Sequence, residues 1–258
     1  MINPEPAAPM ARFTLPDGRR IAHVHTPGQG PTLVFLPGYR SDMGGSKAQA
    51  LQAWARARGA GCLLFDYTGC GQSDGDFADG TLSRWCDELV ALIDHCVAGR
   101  VVLIGSSMGG WLMLLLAEAL GARIAGLVGI AAAPDFTDWG RDPAARAALA
   151  GGQVVHDENP YGPEPTPMYP AIWADGQARC LLGRPIAFDG PVRLLQGQTD
   201  ADVPWAIALR LAAALRSADV QIHLIKDGDH RLSRDADMAL LLTALAGLLE
   251  SDAKGSAA

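Results

Sequence analysis

Short, wholly apolar runs alternate along this chain with longer stretches in which apolar residues recur every three or four positions. Thr32–Phe35, Cys62–Phe65, Val101–Ile104 and Ile124–Ile130 are runs of the first kind and predict buried strands, and Val220–Ile225 reads as another strand. Leu194-Leu195-Gln196-Gly197-Gln198-Thr199-Asp200 reads as a further apolar strand, ending in a carboxylate. Lys47–Arg58, Leu82–Val97 and Trp111–Leu120 predict helices, the first stopped by Gly59 and the second opened by Thr81 as an N-cap. Near the start, Arg12–Leu15 and Arg20–His25 flank Pro16-Asp17-Gly18, the pattern of a hairpin. Strands alternating with helices imply an α/β fold: a mostly parallel central sheet with helices on both faces. No internal repeat is present.

One segment breaks the alternation. Residues 134–190 contain charged, proline-rich and aromatic pieces, among them Arg141–Leu149 and Asn159-Pro160-Tyr161-Gly162-Pro163-Glu164-Pro165. Met168, Tyr169, Ile172, Trp173, Leu181 and Leu182 give this segment too much apolar surface for a linker. It is expected to be a cap inserted over the active site of a single domain spanning 1–258. Met168 and Trp173 are candidate substrate contacts there, and the apolar surface around Trp173 suits a medium or long acyl group.

Composition narrows the class. With 258 residues, 49% of them hydrophobic, the chain has ample material for one large core. A net charge of −7 and the lack of any Lys/Arg-rich block argue against nucleic acid and against an anionic membrane surface. The apolar stretch from Trp111 to Ala133 is interrupted by Glu118, Gly121 and Arg123, so it reads as a buried helix and strand rather than a membrane span. Met1-Ile2-Asn3-Pro4-Glu5-Pro6 is not a secretory signal, and a cytoplasmic location is expected. Five cysteines without metal-ligand spacing read as reduced core thiols. His23 and His25 share one strand face but have no third ligand nearby in sequence, so no metal and no cofactor is expected. Gly69-X-Gly71 lacks the third glycine of a dinucleotide loop and reads as a tight turn.

The chemistry concentrates at three strand ends. Val101–Ile104 runs into Gly105-Ser106-Ser107-Met108-Gly109 and then a helix, the context of a nucleophile elbow with Ser107 as nucleophile. Asp200 ends the strand at Leu194. His230 follows Val220–Ile225 in Lys226-Asp227-Gly228-Asp229-His230. All three can meet at the carboxyl edge of one parallel sheet. Asp202 is the rival acid, but it leads into Val203-Pro204 rather than ending the strand. Acyl transfer also needs two N–H donors for the developing oxyanion. Met108, directly after the nucleophile, and Tyr39, in the loop Pro37-Gly38-Tyr39-Arg40, are the candidates. In that mechanism His230 takes the Ser107 proton, Asp200 holds the imidazole, and an acyl-enzyme forms and is hydrolysed.

These residues carry a family resemblance. The order Ser, Asp, His and the elbow resemble the α/β-hydrolases over nearly the whole chain. More narrowly, the chain is similar to the mitochondrial palmitoyl-protein thioesterase and acyl-glucuronide esterase group and its bacterial relatives. The pieces are Leu36-Pro37-Gly38-Tyr39 with Met43, Gly45 and Lys47-Ala48; Phe65-Asp66-Tyr67 with Gly69, Gly71 and Ser73-Asp74-Gly75; Gly105–Met113; Arg193-Leu194-Leu195 with Gly197, Asp200 and Val203-Pro204-Trp205; and Asp229-His230-Arg231. The resemblance implies hydrolysis of small-molecule acyl esters or thioesters, or of acyl-proteins, by Ser107, Asp200 and His230. It is weakest at Arg40, which reads as a candidate contact for a substrate carboxylate or as an ordinary surface arginine, and over the cap apart from Cys180-Leu181-Leu182. A carbon–carbon bond hydrolase, a cofactor-free perhydrolase and a non-catalytic receptor are the alternatives that the same residues leave open.

Overall fold

A computed structural model describes residues 9–159 and 162–255, with side chains through 250. The opening Met1–Pro6 and the pair Pro160-Tyr161 of the proline-rich piece lie outside the described residues. Eight strands form one sheet: β1 (Ala11–Thr14), β2 (Arg20–Thr26), β3 (Gln29–Leu36), β4 (Ala60–Phe65), β5 (Val101–Ser106), β6 (Ile124–Ile130), β9 (Val192–Gly197) and β10 (Val220–Ile225). Two short strands outside it, β7 (Val155–Asp157) and β8 (Thr166–Met168), pair antiparallel with each other. The sheet order is β1-β2-β4-β3-β5-β6-β9-β10. β2 pairs antiparallel with β1 and β4, and every other neighbour in the sheet is parallel. This is the mostly parallel sheet that the alternating pattern implied, in the α/β-hydrolase fold that the family resemblance implied.

Among the described residues seven α-helices accompany the strands: α1 (Ser46–Ala57), α2 (Leu82–Cys96), α3 (Met108–Leu120), α4 (Pro143–Ala150), α5 (Pro170–Ala178), α6 (Ala206–Ala214) and α7 (Asp235–Gly255). Strand residues alternate between two cores, as a period of two requires. Val34, Leu36, Val101 and Leu103 pack on the side of α2 and α3, with Trp85, Leu89 and Trp111. Leu33, Phe35, Val102 and Ile104 pack on the side of α1 and α7, with Leu51, Ala55, Leu245 and Leu248. No described helix is long and apolar enough to cross a membrane. All five cysteines are free thiols.

Most elements fall where the hydrophobic pattern puts them, and β6 and β10 coincide with their expected bounds. The Thr81 hydroxyl accepts from Arg84 N at 3.1 Å and caps α2. Two boundaries differ for one reason. β5 runs on through Ser106, and α3 begins at Met108 rather than Trp111. Gly109 and Gly110, weak helix formers by propensity, are helical here because the first turn packs tightly. A Cβ on Gly109 would stand 2.1 Å from the Leu36 carbonyl oxygen, and one on Gly105 would stand 2.3 Å from that of Gly109. The segment between β6 and β9 holds α4, β7, β8 and α5. Buried Asp135, at φ +60°, ties its far end back by accepting from Leu181 N and Leu182 N at 2.7 and 2.8 Å.

Candidate active site

The strand register delivers the candidate residues to one edge. Leu36 of β3 pairs with Gly105 of β5, Ser106 with Ile130 of β6, and Gly197 of β9 with Ile225 of β10. The loops after β3, β5, β9 and β10 therefore leave the sheet side by side. Ser107 sits between β5 and α3 at φ +53° and ψ −119°, a backbone region that L-residues rarely occupy. Its N–H donates to Ile130 O at 2.9 Å, and its carbonyl accepts from Gly110 N at 2.8 Å and Ala133 N at 3.0 Å. Those three bonds hold the strained turn.

His230 Nε2 lies 3.1 Å from Ser107 Oγ, and His230 Nδ1 lies 3.0 Å from Asp200 Oδ2. The Asp200 side chain is fully buried. Burial alone would raise its pKa. The hydrogen bond and charge of His230, with the N–H groups of Val203 and Asp202, outweigh burial and hold the carboxyl below the ordinary aspartate value. Asp202, the rival acid, is not at Nδ1. Its Oδ2 stands 3.9 Å from Nε2, the nitrogen that faces Ser107.

Two supporting residues carry no recognisable sequence signal. Gln196 Nε2, on buried β9, donates to Asp200 Oδ2 at 2.9 Å. Lys47, at the start of α1, donates through Nζ to the Arg231 carbonyl and, at 3.2 Å, to Ser233 Oγ, so it pins the loop that carries His230. Desolvation lowers the Lys47 pKa, against the pull of Asp229. Lys47 stands in a piece quoted for the family resemblance and Gln196 only between two quoted residues, and that is all the hint the sequence offers.

Ser107 opens onto a cavity of about 770 Å³. The sheet edge supplies Gly38, Tyr39, Lys47, Met108, Asp202 and His230 to its wall, while Phe136, Trp139, Arg141, Asp157, Glu158 and Met168 come from the segment between β6 and β9. Met108 is the first residue of α3, so its N–H has no carbonyl within the helix to meet. Gly38 brings the neighbouring loop close: a Cβ there would stand 3.4 Å from Ser107 Cβ. Tyr39 turns its ring away to Phe77 (4.9 Å between centroids) and donates its hydroxyl to Pro167 O at 2.8 Å. Burial raises that hydroxyl's pKa.

Two expected substrate contacts lie elsewhere. Arg40 is exposed at φ +54° and does not line the cavity, since the left-handed turn carries its side chain outward. Trp173 is half-buried against the core, with Nε1 donating to Thr137 O at 3.2 Å, and is also absent from the wall. Met168 is in the wall. Among the described residues, the group of metal-ligand type close enough to share an ion is Asp200, Asp202 and His230. His23 and His25 are not part of such a group, and desolvation lowers the pKa of both. The Gly69-X-Gly71 segment is a tight turn, closed by Gln72 N on the buried Asp66 carboxylate at 2.8 Å.

Residues 33–243 match the model of the alpha/beta hydrolase family, and the chain belongs to that family. It is a hydrolase. Among curated proteins it is 34% identical over 244 residues to the human palmitoyl-protein thioesterase ABHD10, mitochondrial, covering 91% of this chain and 78% of that one. Among solved structures, the mouse alpha/beta hydrolase domain-containing protein 10 superposes with a TM-score of 0.88 at 32% identity, over 95% of this chain and 99% of that one. A protein of Agrobacterium vitis S4 superposes with a TM-score of 0.87 at 39% identity, over 93% and 99%. The palmitoyl-protein thioesterase relatives of human and mouse are named as mitochondrial, and this overturns the expected cytoplasmic location. An argument from secretory signals bears on secreted against retained proteins and does not distinguish cytoplasm from mitochondrion.

Proposed function

We propose that this chain hydrolyses carboxylic esters or thioesters through Ser107, His230 and Asp200 and an acyl-enzyme intermediate. The observation that carries the reading is the pair of contacts on one imidazole, 3.1 Å from Nε2 to Ser107 Oγ and 3.0 Å from Nδ1 to Asp200 Oδ2. His230 takes the hydroxyl proton as Ser107 Oγ bonds to the acyl carbon, and Asp200 holds the ring in the tautomer this requires. The N–H groups of Met108 and Tyr39 stabilise the oxyanion, helped by the positive end of α3. His230 then protonates the leaving group, and water releases the acid by the same route. We read residues 134–190 as a cap on a single domain, because they supply Phe136, Trp139, Arg141 and Met168 to the cavity wall.

Similarity to relatives named as palmitoyl-protein thioesterases supports an acyl thioester, on a small molecule or on a protein, as one substrate class. Specificity constants for matched oxygen esters and thioesters, from acetyl to palmitoyl, test the reading with Ser107→Ala as the blank. Ser107-dependent hydrolysis that rises toward long-chain thioesters is the expected result. No Ser107-dependent turnover on any member of the series would overturn it.

A further inference from the structure

The wall of the Ser107 cavity is unevenly apolar, and this bears on where an acyl chain lies, a point that rests on the reading just given. The stretch after β6 supplies the apolar part. It starts at the nucleophile, where Ala133 N donates to the Ser107 carbonyl at 3.0 Å, and Phe136 and Trp139 continue it. Val203, after β9, lines the cavity as well. Ala133, Val203 and Ile207 are buried together in a small cluster apart from the two main cores, with Phe136 and Trp139 packed against it. Elsewhere the wall carries Ser41, Asp42, Ser46, Asp157 and Glu158. A hydrocarbon chain laid over those groups would strip them of water and return no hydrogen bond.

The two aromatic residues are held differently. The Phe136 ring meets Trp111 edge-on at 5.4 Å and Tyr39 at 6.0 Å between centroids, which fixes it in the body of the protein. Trp139 has its one polar atom committed, with Nε1 donating to Pro134 O at 2.9 Å. What it offers the cavity is therefore apolar ring surface. It is half-buried and precedes Gly140, an exposed residue that also lines the cavity, so it stands where the apolar wall meets solvent.

We propose that Ala133, Phe136, Trp139 and Val203 form the acyl-chain subsite, and that Trp139 is a specificity-determining residue whose ring rewards long acyl chains over short ones. The subsite takes the hydrocarbon of the acyl group, and the leaving group makes no use of it. Each methylene that loses its contact on truncation of the ring costs about fourfold in kcat/KM.

The test varies the two halves of the substrate separately. One series holds the alcohol and runs the acyl group from acetyl to palmitoyl. The other holds an octanoyl group and runs the alcohol from ethanol to hexanol. Rates are measured in the wild type, Trp139→Ala, Trp139→Gln and Trp139→Phe, each relative to the shortest ester of its series in the same protein. The alanine and glutamine variants are expected to lose the gain per methylene for the longer acyl chains, and the phenylalanine variant to restore most of it. Dependence on alcohol length is expected to match the wild type in all three. An unchanged acyl profile in the alanine or the glutamine variant, or a change that follows alcohol length instead, would overturn the inference while leaving the hydrolase reading intact. No Ser107-dependent hydrolysis of any ester by the wild type would overturn both.

Discussion

The Gln196 amide donates to Asp200 Oδ2 at 2.9 Å, the same oxygen that faces His230 Nδ1 at 3.0 Å. The other oxygen, Oδ1, accepts from Asp202 N and Val203 N at 2.9 and 2.8 Å. Asp200 is thus fixed from the protein side before the imidazole arrives. Gln196 Oε1, by contrast, is buried with no hydrogen-bond partner among the described residues. An orphaned buried acceptor costs about 1–3 kcal/mol.

Gln196→Met removes both the donor to Asp200 and the orphan. It is expected to lower kcat by roughly tenfold with little change in KM, the loss of about one hydrogen bond to a charged group. Tm is expected to hold or rise. A Tm that falls in step with activity would show that Gln196 is merely structural. Steady-state kinetics and thermal unfolding on one preparation separate the two outcomes.

Asp200→Asn is expected to lower kcat by about four orders of magnitude, because the amide favours the wrong imidazole tautomer. Asp202→Asn is expected to keep neutral substrates within about tenfold of the wild-type rate, the scale of one partly solvated charge. The opposite ranking would make Asp202 the acid of the site.

The same carboxylate links stability to pH. The folded pKa of Asp200 is depressed below the ordinary value of 3.8. Ionised Asp200 therefore contributes stability that is fully present above the ordinary value and is lost as pH falls through the depressed folded value. The stability difference between wild type and Asp200→Asn is expected to be constant near neutral pH and to shrink only in acid below that range. Urea unfolding across neutral to acid pH reads it directly.

Backbone strain at Ser107 separates function from stability. At φ +53° and ψ −119° a glycine is at ease and an alanine is not. Ser107→Gly and Ser107→Ala are both expected to be inactive, with the glycine variant more stable by about 1 kcal/mol. Equal stability of the two variants would remove the case for strain at the elbow.

Tyr39 is assigned a role through its N–H, while its hydroxyl is committed to Pro167 O at 2.8 Å. Tyr39→Phe keeps the N–H and loses only the anchor. The expected loss in kcat is less than tenfold, against the ~3–4 kcal/mol attached to a whole oxyanion donor. A loss of several hundredfold would mean that the hydroxyl does chemistry itself.

How much of this is legible in the sequence depends on the range of the interaction. Ile124–Ile130 is readable as a strand because burial on both faces writes itself as a continuous apolar run. Val220–Ile225, at the sheet edge with Gln221 and Leu224 exposed, is readable instead from its Val, Ile and Leu positions. Ser107, Asp200 and His230 can be foreseen as neighbours because each follows a strand of one parallel sheet. The start of α3 is misjudged because Gly109 and Gly110 look like breakers until the Leu36 carbonyl is seen where a Cβ would stand. β7, β8 and α5 are short and lie in a proline-rich stretch without clear periodicity. Arg40 and Trp173 have suitable chemistry, but a left-handed turn and a core contact carry them away from the cavity. The bonds of Gln196 and Lys47 depend on loops and strands packing together, which no local pattern encodes.

The central claim is that Ser107 becomes acylated. Peptide mass spectrometry after brief exposure to a fluorophosphonate probe tests it most directly, with Ser107→Ala and His230→Ala run in parallel. A single adduct on the peptide carrying Ser107, absent in Ser107→Ala and strongly slowed in His230→Ala, is the predicted result. Folded wild-type protein that stays unlabelled, or carries the label on a different residue, would contradict the account.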